Sequence, residues 1–153
     1  MLEISATPYL YTLRFYDWLR RNLEGDVRPV HLAHAFANLD RTRRGDSVRR
    51  DLVQEPVVKA TGPGFAELRL GELDELFFAV DRLDFEDEIA VQTQGRFHVL
   101  NLVAGEEVTV ETARGDSHVL AYAETLVIPA SISGYRLERR RGPACKVVKA
   151  LVR

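Results

Sequence analysis

The side chains that could do chemistry are sparse and scattered, so their spacing decides what they can make. The sequence holds four histidines and a single cysteine. His31 and His34 stand three apart, which would put them on one face of a helix, with Asp40 further along. A zinc ion takes three or four ligands, and neither a cysteine nor a third histidine lies close by, so the pair reads as capping or surface placement. His98 and His118 fall in separate apolar runs, and the stretch after Pro129 has no histidine. Cys145 sits in an apolar run with no adjacent histidine to activate it, which reads as core rather than nucleophile. No metal-ligand set emerges.

Arginines are denser. Arg41, Arg43, Arg44, Arg49 and Arg50 are interleaved with Asp40, Asp46 and Asp51. Such a patch could hold a sugar phosphate through charge-assisted hydrogen bonds, with Arg41, Arg43 and Arg44 as the candidates. A solvated helix face laced with local ion pairs is the alternative. Arg139-Arg140-Arg141 before Gly142-Pro143 reads as a hairpin tip. Among the carboxylates, nothing in the spacing of Glu124 and Glu138 requires an acid/base pair. Asp81 and Asp84 fall on opposite faces of one strand, so they make no paired site.

The elements that must position these groups divide near residue 60. Residues 1–59 read as a mixed arm. Tyr9 to Trp18 is rich in aromatic and β-branched types and favours extended structure, with Arg14 on the polar face opposite Leu13 and Phe15. A short strand is expected over Val30 to Leu32. Leu32, Ala35, Phe36 and Leu39 are spaced for a short helix. Ser47 is expected to cap a second helix running to Leu52. Thr61-Gly62-Pro63-Gly64 is the strongest turn signal.

Residues 60–153 read as strands: Leu76 to Phe85, Arg96 to Val103, Val108 to Val110, Ser117 to Tyr122, Thr125 to Ile128, Tyr135 to Glu138 and Cys145 to Val152. On Leu76 to Phe85 the residues Phe77, Ala79, Leu83 and Phe85 share one face. The connections are too short for helical crossovers, so the pairing is expected to be antiparallel. The fold class is mainly β, a jelly-roll antiparallel barrel preceded by an arm of strands and short helices. An interior filled by Phe77, Phe78, Phe97 and Leu100 would leave no cavity.

Composition narrows the function classes. The chain has 153 residues, 29% charged, with a formal net charge of -2 and no concentrated basic excess of the kind nucleic-acid binding needs. The N-terminus lacks the basic-then-apolar pattern of a signal peptide, and no apolar run is long enough for a membrane span. A lone cysteine fits a reducing compartment, so a cytoplasmic protein is expected.

Three segments together carry a family resemblance. Thr12-Leu13-Arg14-Phe15-Tyr16-Asp17-Trp18, Arg28-Pro29-Val30-His31-Leu32-Ala33-His34-Ala35-Phe36-Ala37-Asn38-Leu39, and Ala123-Glu124-Thr125-Leu126-Val127-Ile128-Pro129-Ala130 with Gly134-Tyr135 and Val147-Val148-Lys149-Ala150 resemble class I mannose-6-phosphate isomerases. The match is to the linker and second cupin half. It implies a cupin barrel over 60–153 and an aldose–ketose isomerase lineage acting on mannose 6-phosphate and fructose 6-phosphate. It implies that Arg14 corresponds to the arginine beside the family's zinc, where a guanidinium can hold developing enediol charge. It also implies that the zinc ligands correspond to positions before Leu2-Glu3-Ile4. The chain by itself is therefore expected to carry no cofactor and no isomerase activity. A second copy, or a zinc-bearing cupin half, is the partner this implies, since the apolar side of the arm needs cover. A metal-free cupin that binds a small sugar or sugar phosphate, or an oligomerisation module, is the other reading.

Overall fold

In the chain from Val57 onward, alternating apolar and polar residues become ten antiparallel strands. A computed structural model describes residues 2–4, 13–17 and 19–153. The chain divides into two compact units, Met1–Arg49 and Arg50–Arg153.

The second unit is two facing sheets. One has six strands in the order β1 (Val57–Gly62), β2 (Phe65–Gly71), β3 (Phe78–Phe85), β10 (Cys145–Val152), β5 (His98–Ala104) and β8 (Thr125–Ile128). The other has four, in the order β4 (Glu88–Gln92), β9 (Gly134–Arg141), β6 (Glu107–Thr112) and β7 (Ser117–Ala121). No ladder joins the sheets, so the expected jelly roll is an open sandwich rather than a closed barrel.

Period-two alternation sets the core. Leu83 and Phe85 of β3, Leu100 and Leu102 of β5, Val147 of β10, Val108 and Val110 of β6 and Leu137 of β9 are all buried in one cluster. Strand β3 alternates half-buried and buried along its whole length. Phe77, expected on its inner face, lies before the strand and is exposed, and Phe97 is exposed as well. Of the four side chains expected to fill the interior, Leu100 belongs to the core cluster.

Turn chemistry fixes the registers. The Thr61-Gly62-Pro63-Gly64 segment closes the β1–β2 hairpin, with Gly62 opposite Phe65. Gly105, between β5 and β6, has φ +103, and a Cβ there would meet the Cys145 sulfur at 2.8 Å. Both the backbone angle and the close approach require glycine. Strand β1 is an edge strand whose register slips between Val58 and Ala60, a bulge that bears on the site below.

In the first unit α1 (Leu32–Asn38) follows the apolar spacing, and α2 (Asp46–Leu52) begins where a second short helix is expected. Val30 forms no strand. Ser47 lies inside α2 rather than capping it, and its hydroxyl accepts from the Arg44 N–H at 2.9 Å. Phe15 and Phe36 meet edge to face at 5.1 Å. Residues 13–17 are irregular, not a strand. The remainder of the expected Tyr9–Trp18 extended segment, apart from these residues, lies outside the described residues.

Candidate functional site

Strands β1, β2, β3 and β10 lie side by side, and each turns charged side chains toward the sandwich interior. Asp81 occupies an inward position of β3, between Ala79 and Leu83, and is fully buried. Its register partners are Arg69 on β2 and Lys149 on β10. Cross-strand neighbours of opposite charge interact directly. Arg69 Nε donates to Asp81 Oδ1 at 2.5 Å. The β1 bulge lets Lys59 reach the same place from the sheet edge, and its ammonium donates to Asp81 Oδ2 at 2.9 Å.

Glu67 of β2 completes a ring. Lys59 Nζ and Lys149 Nζ both donate to Glu67 Oε1, at 2.9 and 2.8 Å. Lys149 Nζ lies 3.2 Å from Asp81 Oδ2. Two ammonium groups therefore share the same two carboxylate oxygens, in alternating charge. Lys149 is nearly buried, at 5% side-chain exposure, while Lys59 keeps 36% and opens the ring to solvent.

The electrostatics follow from this geometry. Burial pushes the Asp81 carboxyl up, but hydrogen bonds from Lys59 and Arg69 and the charges of Lys149 and Lys59 outweigh it and hold the group below the ordinary carboxylate range. Glu67 is lowered in the same way, burial being overcome by Lys149 and Lys59. The Lys59 ammonium is raised, since bonds to Glu67 and Asp81 outweigh its desolvation.

A neutral pair stands beside the ring. His98 on β5 faces Leu151 on β10, two residues along from Lys149. Its Nδ1 lies 3.0 Å from the Tyr135 hydroxyl on β9, so this contact crosses from one sheet to the other. Desolvation first, and the Lys149 charge second, push His98 down to about 4. The imidazole is neutral at physiological pH. Burial, with the Glu67 and Asp81 charges, raises the Tyr135 phenol and keeps it protonated.

The family resemblance implies zinc, so the fit of these residues to zinc matters. They do not fit. Among the described residues no three His, Cys, Asp or Glu side chains converge on a point. In the interior, the carboxylates already carry two ammonium groups and a guanidinium, which would repel a dication. His118 is exposed on β7.

The arginines singled out by sequence take local partners in the first unit. Arg14 lies 3.6 Å from Asp17, which Arg28 approaches at 3.3 Å from the other segment. Arg14 and His31 are also joined through the Arg14 backbone: His31 N–H donates to the Arg14 carbonyl at 2.8 Å, and Arg14 N–H donates to the His31 side-chain Nδ1 at 3.4 Å. Arg41 stacks over Phe36 at 5.7 Å. Arg43 is 4.0 Å from Asp40, and the Arg44 backbone is held by Ser47. These contacts give Arg41, Arg43 and the Arg44 backbone different neighbours. Sequence reasoning missed the interior ring. Its signal was present as single charged residues at inward positions, Asp81 between Ala79 and Leu83 and Lys149 between Val147 and Leu151.

No protein-family model matches the sequence, and no curated protein sequence matches it. Solved structures do. The mannose 6-phosphate isomerase from Bacillus subtilis matches 90% of this chain with a TM-score of 0.65 at 15% identity. A cupin 2 conserved barrel domain protein from Rhodopseudomonas palustris covers 63% of it, with a TM-score of 0.51 at 12% identity and 71% of its own length matched. The fold is a cupin fold. The ectoine synthase from P. lautus matches 61% of the chain with a TM-score of 0.50, at 12% identity over 67% of its own length. This cupin chain spans 39% of the length of the Bacillus isomerase. Among the described residues no helix is long and apolar enough to cross a membrane.

Proposed function

We propose that the chain is a cupin module of the mannose-6-phosphate isomerase kind, equivalent to that enzyme's second, metal-free half. The observation that supports this is the extent of the match. The ectoine synthase and the cupin 2 barrel protein cover 61% and 63% of the chain, whereas the isomerase covers 90%, more than the second unit alone can supply. The match therefore extends beyond the second unit into residues of the first. In this reading Arg14, steadied by Asp17, serves a zinc-bearing cupin half by holding negative charge on the sugar oxygens, and the metal ligands come from that half.

The expected result of a coupled assay on mannose 6-phosphate is no turnover by the purified chain, with or without added zinc. Turnover by the chain alone that a chelator abolishes would overturn the reading. Activity that appears on mixing with a zinc-bearing cupin half, and falls in Arg14→Ala, would support it.

A second reading has a specific observation behind it. The charged ring in the interior is not the apolar filling a purely structural sandwich needs, and this favours a metal-free cupin that binds a small sugar phosphate or similar polar ligand there.

A further inference from the structure

We propose that the ring of Lys59, Glu67, Lys149 and Asp81 is an oxyanion site that takes the phosphate or carboxylate of a small ligand without any metal. The proposal rests on the second reading above and names the chemistry of its site. Three features carry it. The first is charge: the four cations Lys59, Arg69, Lys149 and Arg153 meet the three carboxylates Glu67, Asp81 and Glu72, which leaves one positive charge in excess. Glu72 meets Arg69 at its far end and is shared with Arg153 at 3.0 Å. Asp74, beyond Arg153 at 3.7 Å, is fully exposed to solvent.

The second is hydrogen-bonding capacity. An ammonium has three N–H donors. Lys59 spends two, on Glu67 and Asp81, and Lys149 spends one on the same Glu67 oxygen while standing 3.2 Å from Asp81, so each ammonium has at least one N–H left. Two ammonium groups that share a carboxylate oxygen suit, with their remaining N–H donors, an oxygen that carries negative charge. The third is access with shelter. Lys59 is partly exposed and Lys149 is not, so an anion arriving at the open side meets charge that is only partly screened by water. The neutral His98–Tyr135 pair adds polar groups and no opposing charge.

The test uses inorganic phosphate and acetate as probes, with the melting temperature of the full chain read against sodium chloride of equal ionic strength. Phosphate or acetate is expected to raise the melting temperature of the wild-type chain beyond the chloride control. Lys59→Met is expected to weaken that binding by about tenfold or more, as loss of a charge-assisted hydrogen bond should, while Lys59→Arg retains it. Lys59 lies on an exposed edge strand, so both variants are expected to fold, which circular dichroism checks. The probe that gives the larger shift names the ligand group. No anion-specific shift in the wild type, or a shift that Lys59→Met leaves unchanged, overturns the proposal. The two readings fail separately. If phosphate binds through Lys59 and mannose 6-phosphate binds no tighter, the oxyanion site stands and the sugar phosphate falls. If mannose 6-phosphate binds and Lys59→Met does not weaken it, the oxyanion site falls and the sugar phosphate stands.

Discussion

Replacing Asp81 with alanine is expected to lower the free energy of unfolding by about 3–5 kcal/mol, read from urea denaturation at neutral pH. The side chain is fully buried and meets three cations, Lys59, Arg69 and Lys149. Removing it leaves Lys149, almost as deeply buried, with Glu67 as its remaining carboxylate partner. The penalty arises from uncompensated positive charge in a poorly solvated place, not from a lost contact. A compensating pair of changes therefore distinguishes the cause. Asp81→Leu combined with Lys149→Met removes one charge of each sign and leaves Lys59 with Glu67 and Arg69 with Glu72. This double variant is expected to recover most of the loss, because well-packed apolar residues often replace a buried ion pair at little cost. A single-variant loss below about 1 kcal/mol, the scale of a surface pair, would show that the ring is more hydrated than its geometry indicates.

The second large effect is acid lability. His98 is held at about 4 in the folded chain, against an ordinary value near 6.5. Between those two pH values an unfolded chain binds a proton that the folded chain refuses, so stability falls as pH falls through that window. The full loss is about 3 kcal/mol on the scale of 1.36 kcal/mol per pKa unit. The stabilisation is intact above about pH 6.5 and fully lost below about 4. Asp81 and Glu67 act in the same direction at lower pH, since their folded values are depressed and their stabilisation disappears once they are protonated. Urea midpoints measured from pH 7.5 to 4.5 are expected to fall steeply for the wild type and to flatten in His98→Gln. An equally steep fall in that variant would assign the lability to other groups.

How much of this could be read from residues alone differs by element. Strands β8 and β10 have the bounds their sequences announce, because Pro129 stops one and a mostly apolar run interrupted by Lys146 and Lys149 defines the other. The alternation of Val108 and Val110 likewise gave the buried face of β6. Strand β4 escaped notice, since Glu88–Gln92 is only five residues and follows the charged Glu86-Asp87 turn directly. Ser47 misled because a serine at the start of a short helix, beside an acidic residue, resembles a cap, whereas the helix begins at Asp46.

The interior ring was illegible for a different reason. A strand pattern assigns charged residues to the wet face, and Asp81 and Lys149 are exceptions that make sense only in pairs, through a register that sets them opposite one another and beside Arg69. Lys59 adds a further non-local condition, the bulge that turns an edge lysine inward. Register and bulges depend on strands far apart in sequence, so they are fixed by tertiary packing and not by local composition. Asp81 and Asp84 do lie on different faces, as their spacing indicates, and Asp84 pairs with Arg82 instead.

The central claim is that tethered ammonium groups supply the positive charge in this cupin interior and leave no seat for a divalent ion. Its most direct test is the zinc content of the purified chain after equilibration with zinc and gel filtration, measured by plasma mass spectrometry. The account predicts no stoichiometric zinc. Retention of one zinc per chain, lost in Asp81→Ala, would contradict it.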